Sequence, residues 1–310
     1  MPIKPRALRP GDCVGIVAPA SSLQPGALDA GIALLAQMGY RTKLGRSALE
    51  CAPQYFAGTV KARLDDLHAM FADPEVAAIL CARGGYGSNY LLPGLDLDVV
   101  WKNPKPFIGY SDNTSLLTWI ADQTGMATFH GPMAAKDFGS ADGVDIQSWQ
   151  DALSSQAAWQ IAPDQSGCRT LKRGKARGRL FGGCLSILVA SLGTPYEFRA
   201  EDSILFLEDI AAKPYQIDRM LMQLKYAGKI AQAKGIMFGE MLDCVQPGGK
   251  SYRLEDVILR VLDDFPGPIG FGFRSGHVSS GNVTLALGTQ AEFECTEEAA
   301  WLRYPEATAG

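Results

Sequence analysis

Histidine is scarce in this sequence: His68, His130 and His277 are the only three in 310 residues. A site built from several imidazoles is therefore hard to assemble, no HExxH pair occurs, and zinc-hydrolase chemistry is disfavoured. Cysteine occurs seven times, at positions 13, 51, 81, 168, 184, 244 and 295, but never with CxxC spacing. An odd count set mostly in apolar runs describes small hydrophobes in a reducing cytoplasm, not a disulfide framework. Positive charge is not in excess either. A net charge of -4 leaves no basic footprint, so nucleic acid is not an expected partner. No apolar run reaches transmembrane length, and the first twelve residues carry basic residues and prolines without an apolar h-region, so neither membrane nor export is expected. The sequons at Asn113 and Asn282 then carry no meaning. No internal repeat is visible.

Apolar material is ample: 47% of residues are hydrophobic, enough for the cores of two domains. Residues 12–19 read as a buried strand, and the spacing predicts helices over 26–38 and 60–71, the latter with Val60, Leu64, Leu67 and Phe71 on one face. A strand over 77–82 runs into Arg83-Gly-Gly-Tyr-Gly87. Strands alternating with helices, with glycines at strand exits, predict an α/β fold with a doubly wound parallel sheet, whose ligands gather at the C-terminal strand edge. Between about 139 and 176 the periodicity fades, which reads as a connection between domains over 1–155 and 177–310, with 156–176 as linker. The second half offers a glycine turn entering a helix at 178–193, a strand over 203–208, a helix over 214–227, a strand over 234–239 and a helix over 254–262. Alternation at 283–287 and 291–295 suggests a hairpin turned at 288–290.

The chain is organised around residues 104–120, where Phe107 and Ile108 end a strand and Leu116, Leu117 and Ile120 begin a helical stripe. Ser111 sits on the corner. A strand-to-helix turn lifts a serine Oγ clear of the sheet and aims the following N–H, that of Asp112, at any oxyanion beside it. Asn113 stands where G-x-S-x-G would need a glycine, and taken alone helix capping by Ser111 or Asp112 is the better reading. The Arg83–Gly87 loop is a poor dinucleotide motif, yet its bare N–H groups suit an anion or oxyanion; a tight structural turn is equally consistent. Gly249-Lys-Ser251 imitates a P-loop end without the required first glycine and reads as surface loop. His68 falls in an amphipathic helix, and His130 has packing as its default with a pocket role open. His277 lies in a Gly- and Ser-rich loop with no apolar face to bury, which makes it the best base candidate. Glu208 closes an otherwise apolar strand, so its carboxylate needs a partner, for which imidazole is the natural choice. Asp209 reads as a cap. A Ser111, Glu208, His277 triad follows.

The ordered blocks Gly15-Ile-Val-Ala-Pro-Ala-Ser21, Ala82-Arg-Gly-Gly-Tyr-Gly87, Phe107-Ile-Gly-Tyr-Ser-Asp-Asn-Thr114, Phe129-His-Gly-Pro132, Gly178-Arg-Leu-Phe-Gly-Gly183, Phe206-Leu-Glu-Asp209 with Pro214 to Met220, and Gly276-His277 with Asn282 resemble the LD-carboxypeptidase (muramoyltetrapeptide carboxypeptidase) family of serine peptidases. The resemblance implies a Rossmann-like N-terminal domain, a smaller β-rich α/β C-terminal domain, an active site between them and a homodimer. By position it places the nucleophile on Ser111, the acid on Glu208, the base on His277, and the oxyanion donors on Asp112 and on Gly84 or Gly85. The implied reaction releases D-alanine from murein tetrapeptide in the cytoplasm during cell-wall recycling, without metal or organic cofactor. A carboxypeptidase must recognise a terminal carboxylate, and Arg83 or Arg274 offers a guanidinium for it, with a structural ion pair as the alternative. Relatives that hydrolyse peptidyl or aminoacyl adenylates in antibiotic self-immunity form the runner-up, for which Tyr86, Tyr90 and Tyr110 would supply a base-binding wall instead of packing. Trp101 and Trp119 are expected in core packing. A non-catalytic ligand-binding module is the remaining alternative.

Overall fold

Four βα steps and a fifth strand at the N-terminus build most of the first of two sheets. The computed structural model describes residues 3–50, 54–246 and 252–310. Strand β1 (Cys13–Val17) is buried along its length, as a strand covered on both faces must be. Then come α1 (Asp29–Gln37), β2 (Arg41–Leu44), α2 (Val60–Ala72), β3 (Val76–Cys81), α3 (Leu97–Lys102), β4 (Phe107–Gly109), α4 (Thr114–Thr124) and β5 (Thr128–His130). Thr59 caps α2 by accepting from the Ala62 N–H, and Asp96 caps α3. Gly125, at φ +70°, ends α4 in the left-handed conformation that glycine adopts freely. The parallel order is β2-β1-β3-β4-β5. Winding reverses between β1 and β3, so the loops leaving these strands border the crevice where α/β sheets bind ligands.

The second sheet follows α5 (Ile146–Ser154). Its elements are β6 (Trp159–Ile161), α6 (Pro163–Ser166), β7 (Arg169–Lys172), β8 (Gly174–Cys184), α7 (Leu185–Ser191), β9 (Ser203–Glu208), α8 (Pro214–Tyr226), α9 (Lys229–Gln232), β10 (Gly235–Gly239), α10 (Leu254–Val261), β11 (Ile269–Phe273), β12 (Leu285–Leu287), β13 (Gln290–Cys295) and β14 (Ala300–Tyr304). The order is β6-β14-β13-β8-β9-β10-β11-β7, with β8 to β11 parallel. Because strand side chains alternate, β9 serves two cores: Leu205 and Leu207 pack with Ile217 and Leu221 of α8, while Ile204 and Phe206 join the core shared with the first sheet. By the same parity Glu208 faces the first sheet. No helix among the described residues is long and apolar enough to cross a membrane.

Four expectations change. The hairpin over 283–295 does not form: β12 pairs antiparallel with β5 in the first sheet, while β13 pairs with β8 and β14 in the second. Alternation marks a strand but not its partner. The glycines at 178–183 do not make a turn; they lie inside β8, where Gly182, at φ +128°, leaves room for the Phe206 carbonyl and Gly183 for Thr114. Residues 139–176, read as an aperiodic connection, contain α5, β6 and β7, the strands too short to show a period. Trp101 is 57% exposed on α3, whereas Trp119 packs edge-on against Tyr196. Six cysteines are free and buried. Cys51 and the Gly249-Lys-Ser251 stretch lie outside the described residues.

A Cβ on Gly182 would stand 2.0 Å from the Phe206 carbonyl oxygen. Gly182→Ala is therefore expected to lose ~2 kcal/mol or more of stability from backbone strain and overpacking. Chemical denaturation measures this; an unchanged midpoint would show that β8 and β9 can separate without cost.

Candidate active site

Ser111 follows β4 by two residues and opens a single 3-10 turn, Ser111–Asn113, that leads into α4. Its φ of +63° is left-handed for a residue with a side chain, a strained corner of the kind that functional sites retain. Gly84 is pressed against it: a Cβ there would lie 2.8 Å from Ser111 Oγ and 3.5 Å from the Asp112 nitrogen. Gly85, at φ +110°, is packed instead on Ser21, whose Oγ accepts from the Tyr86 N–H at 3.1 Å. Asp112 is buried and ties corner to loop, its Oδ2 accepting from the Ser88 N–H (2.7 Å) and its carbonyl from Ser88 Oγ (2.6 Å). Burial raises the Asp112 carboxyl pKa, opposed by the Ser88 bonds and the Arg63 guanidinium. Arg63 is itself buried and donates to the carbonyls of Pro19 and Gly87 at 2.6 and 2.8 Å, joining the two loops at the winding reversal.

The acid and the histidine arrive from the second sheet. Glu208 has no exposed surface; its Oε2 accepts from His277 Nδ1 at 2.7 Å and from the His277 backbone N–H at 3.0 Å. Two glycines admit it. A Cβ on Gly239 would meet Glu208 Cβ at 2.5 Å, and one on Gly276, at φ +90°, would meet Glu208 Cδ at 2.6 Å. Asn282 brackets Gly276 with two 3.0 Å hydrogen bonds, which fixes the turn that carries His277. Burial alone would push the Glu208 carboxyl up, but the His277 charge and the two neighbouring imidazoles draw it well below the usual carboxylate range. For His277, burial opposes the charged ring and the Glu208 carboxylate outweighs it, so its pKa is raised above 6.5. Asp209 turns away, accepting from Ser186 N–H at the start of α7 and from Ile210 N–H.

Ser111, His277, Arg83, Gly84, Gly85 and Tyr110 line a cavity of about 360 Å³. Lys136 lines it as well, its ammonium 5.8 Å from the Tyr110 ring centre. The Arg83 guanidinium donates to the Ser22 carbonyl at 3.0 Å. Of the other expected substrate contacts, Arg274 is not part of this wall, because its guanidinium is spent on the carbonyls of Asp164 and Gln165. Tyr86 is 40% exposed in an aromatic group with Tyr55, Phe56 and Tyr90, and borders a second cavity of about 320 Å³ beyond Asp112. Tyr110 is buried, edge-on to His277, with its hydroxyl 3.4 Å from Asp137. His68 accepts from the Asp96 N–H, and His130 is buried beside Glu208. Cys184, Glu208 and His277 bring three donor atoms within 4.8 Å of one another. Glu208 is bonded to His277, whereas Cys184 Sγ lies 3.4 Å from Ser186 Oγ and burial raises its thiol pKa well above the ordinary value.

Lys136 and Arg63 escaped the sequence reading. Arg63 had left a signal, since it falls on the stripe of Val60, Leu64, Leu67 and Phe71, where an unpaired charge is out of place. Lys136, in a loop, left none.

Residues 14–131 match the LD-carboxypeptidase N-terminal domain and residues 177–293 the LD-carboxypeptidase C-terminal domain. A Bacillus subtilis (strain 168) protein named "Probable murein peptide carboxypeptidase" is 41% identical over 96% of this chain and 93% of its own length. The chain belongs to the LD-carboxypeptidase family. Another family relative, the murein tetrapeptide carboxypeptidase of Pseudomonas aeruginosa, is 34% identical over 85% of this chain and 87% of its own. Among solved structures, an active-site mutant of the microcin C7 self-immunity protein superposes over the full length of both chains with TM-score 0.91 and 25% identity. The muramoyltetrapeptide carboxypeptidase from Oxalobacter formigenes superposes with TM-score 0.84 over 95% of this chain and 99% of its own.

In this family member the histidine titration is open to direct test. Nitrogen-15 NMR of the imidazoles is expected to place the His277 midpoint above 6.5, and Glu208→Gln to lower it by removing the carboxylate. Since the folded value exceeds the unfolded one, the contribution of His277 protonation to stability is complete below about 6.5, as long as Glu208 stays ionised, and is lost as pH rises through the folded midpoint. A midpoint unmoved by Glu208→Gln would separate the carboxylate from the ring.

Proposed function

We propose that this protein is a serine carboxypeptidase that releases the terminal D-alanine of murein tetrapeptide, cutting the bond between the L-centre of the diamino acid and D-Ala, in the cytoplasm and as a homodimer. The observation that carries the reading is Ser111 on its strained corner, sharing one cavity with a histidine whose far nitrogen is held by a buried carboxylate. Ser111 Oγ attacks the scissile carbonyl as His277 Nε2 takes its proton; the same imidazolium then protonates the leaving amine, and water repeats the sequence to free the acyl-enzyme. Glu208 keeps the Nδ1 proton in place and stabilises the imidazolium. The Asp112 N–H and an N–H of the Gly84-Gly85 pair receive the oxyanion, Gly84 being the glycine packed on Ser111. Arg83 and Lys136 give the cavity two cations for the free carboxylate of the leaving residue. The relatives named as murein peptidases, at 41% and 34% identity, support this substrate over the self-immunity activity, whose Escherichia coli protein is 29% identical.

Ser111→Ala and His277→Ala are each expected to fold normally and to lose roughly 10⁴-fold or more in turnover, as members of one unit do. Glu208→Gln should retain binding and lose most of the rate. Near-normal hydrolysis by either alanine variant, measured as D-Ala release from L-Ala-D-Glu-diaminopimelate-D-Ala, would remove the triad.

A second measurement concerns substrate class. The wild-type protein is expected to cleave that tetrapeptide, to act poorly on its C-terminal amide, and to leave an all-L tetrapeptide and an aminoacyl sulfamoyl adenylate intact. Preferential hydrolysis of the adenylate would transfer the assignment to the self-immunity class and give the Tyr86 and Tyr90 rings a base-stacking role. No serine labelling together with tight ligand binding would point to a binding module.

A further inference from the structure

Glu208 has two oxygens, and the triad uses one. Oε1 faces His130, whose Nε2 stands 3.7 Å off; among the described residues neither atom has another partner, and neither side chain has any exposed surface. His130 is fixed on every side. Its backbone ends β5 between Gly109 of β4 and Leu285 of β12. Its ring lies edge-on to Phe206 at 5.1 Å, and Nδ1 is 3.0 Å from the Oγ of buried Ser275. Gly276 passes so close that a Cβ would meet both Glu208 Cδ (2.6 Å) and His130 Cε1 (2.8 Å). Both atoms are buried, so what faces the carboxylate oxygen is the ring itself.

That fixes the proton. An imidazole lone pair aimed at a carboxylate oxygen would repel it, whereas an N–H attracts it, so the hydrogen belongs on Nε2 and the Ser275 hydroxyl donates to Nδ1. We infer that His130 is a positioning residue of the reaction: its Nε2–H, set by Ser275, holds the second oxygen of Glu208 so that the first stays aligned with His277. The contact is too long for a full hydrogen bond in the resting molecule. Hydrogen bonds of catalytic groups are often long in the unliganded molecule and tighten in the substrate complex. The inference rests on the reading of Glu208 and His277 as orienter and base.

The sign of the effect follows. An N–H on Oε1 spreads the carboxylate charge and holds the group ionised. Without it more charge falls on Oε2, which raises the His277 pKa, and Glu208 itself protonates more readily; either change moves the acidic limb of kcat/KM to higher pH. The other groups around the pair stay in place. Lys136, Cys184, Asp209, Cys244 and Tyr110 are coupled to it electrostatically, Tyr110 lies against both rings, and Asp137 sits behind Tyr110.

The experiment compares wild type with His130→Phe, which keeps an aromatic ring, and His130→Gln, whose amide N–H can reach Oε1. Loss of a hydrogen bond to a charged group predicts that His130→Phe lowers kcat by roughly ten- to a hundredfold. Its acidic limb should move up, and His130→Gln should restore both. Imidazole nitrogen-15 shifts of the resting wild-type protein, which need no turnover, should report the Nε2–H tautomer of His130. Ser275→Ala, which leaves the ring in place, should shift that tautomer and move the limb in the direction of His130→Phe; this arm decides the matter should His130→Phe fail to fold. A uniform fall in kcat with the limb unmoved, a His130→Gln profile matching that of His130→Phe, or an Nδ1–H tautomer would each overturn the inference. Failure of the underlying triad is read separately, as full turnover by His277→Ala.

Discussion

A carboxylate with no surface left in water must be compensated by whatever surrounds it, and the surroundings of Glu208 account for much of the architecture. Oε2 receives both the ring and the main-chain N–H of His277, so one oxygen fixes the position of a residue and the rotation of its side chain together. That double contact requires the His277 turn to approach within van der Waals range, which is possible only because Gly276 and Gly239 lack side chains. Asn282 then fixes the turn. Remove the charge and four residues lose the reason for their identity.

The serine side is organised by a different economy of contacts. The corner at Ser111 is unfavourable on its own backbone energetics, and it is braced by Asp112 on Ser88, by Gly84 packed on the serine, and by Arg63 joining the loops after β1 and β3. Each brace comes from a loop at the C-terminal edge of the first sheet. Strain at Ser111 is thus held by its neighbours, while Ser111 itself lines the cavity.

How much of this was legible depends on what each signal encodes. The strand-to-helix corner and the acid closing an apolar strand are local patterns, and they singled out Ser111, which lines the cavity, and Glu208, which holds His277 of the same wall. Parity along β9 even sets the face of Glu208, once Leu205 and Leu207 are known to meet α8. Partnership is not local. The alternation over 283–295 marked two strands and could not tell that they serve different sheets, and the Gly182-Gly183 pair reads the same whether it bends a chain or lets another backbone pass. Arg83 and Arg274 looked equivalent in sequence; only the carbonyls of Asp164 and Gln165, more than a hundred positions away, distinguish them. Arg63 could have been found, because a cation on an apolar stripe demands a partner.

Strand β12 gives the first sheet its sixth member from near the far end of the chain. Until about residue 287 has left the ribosome, β5 presents an open edge, and the half that carries Ser111 cannot be finished. The segment that closes this edge, running from β11 to β12, also carries Ser275 and His277. Completing the sheet and delivering the histidine are therefore a single event of biosynthesis, and a chain released before it would carry Ser111 on an unsealed sheet with no imidazole beside it.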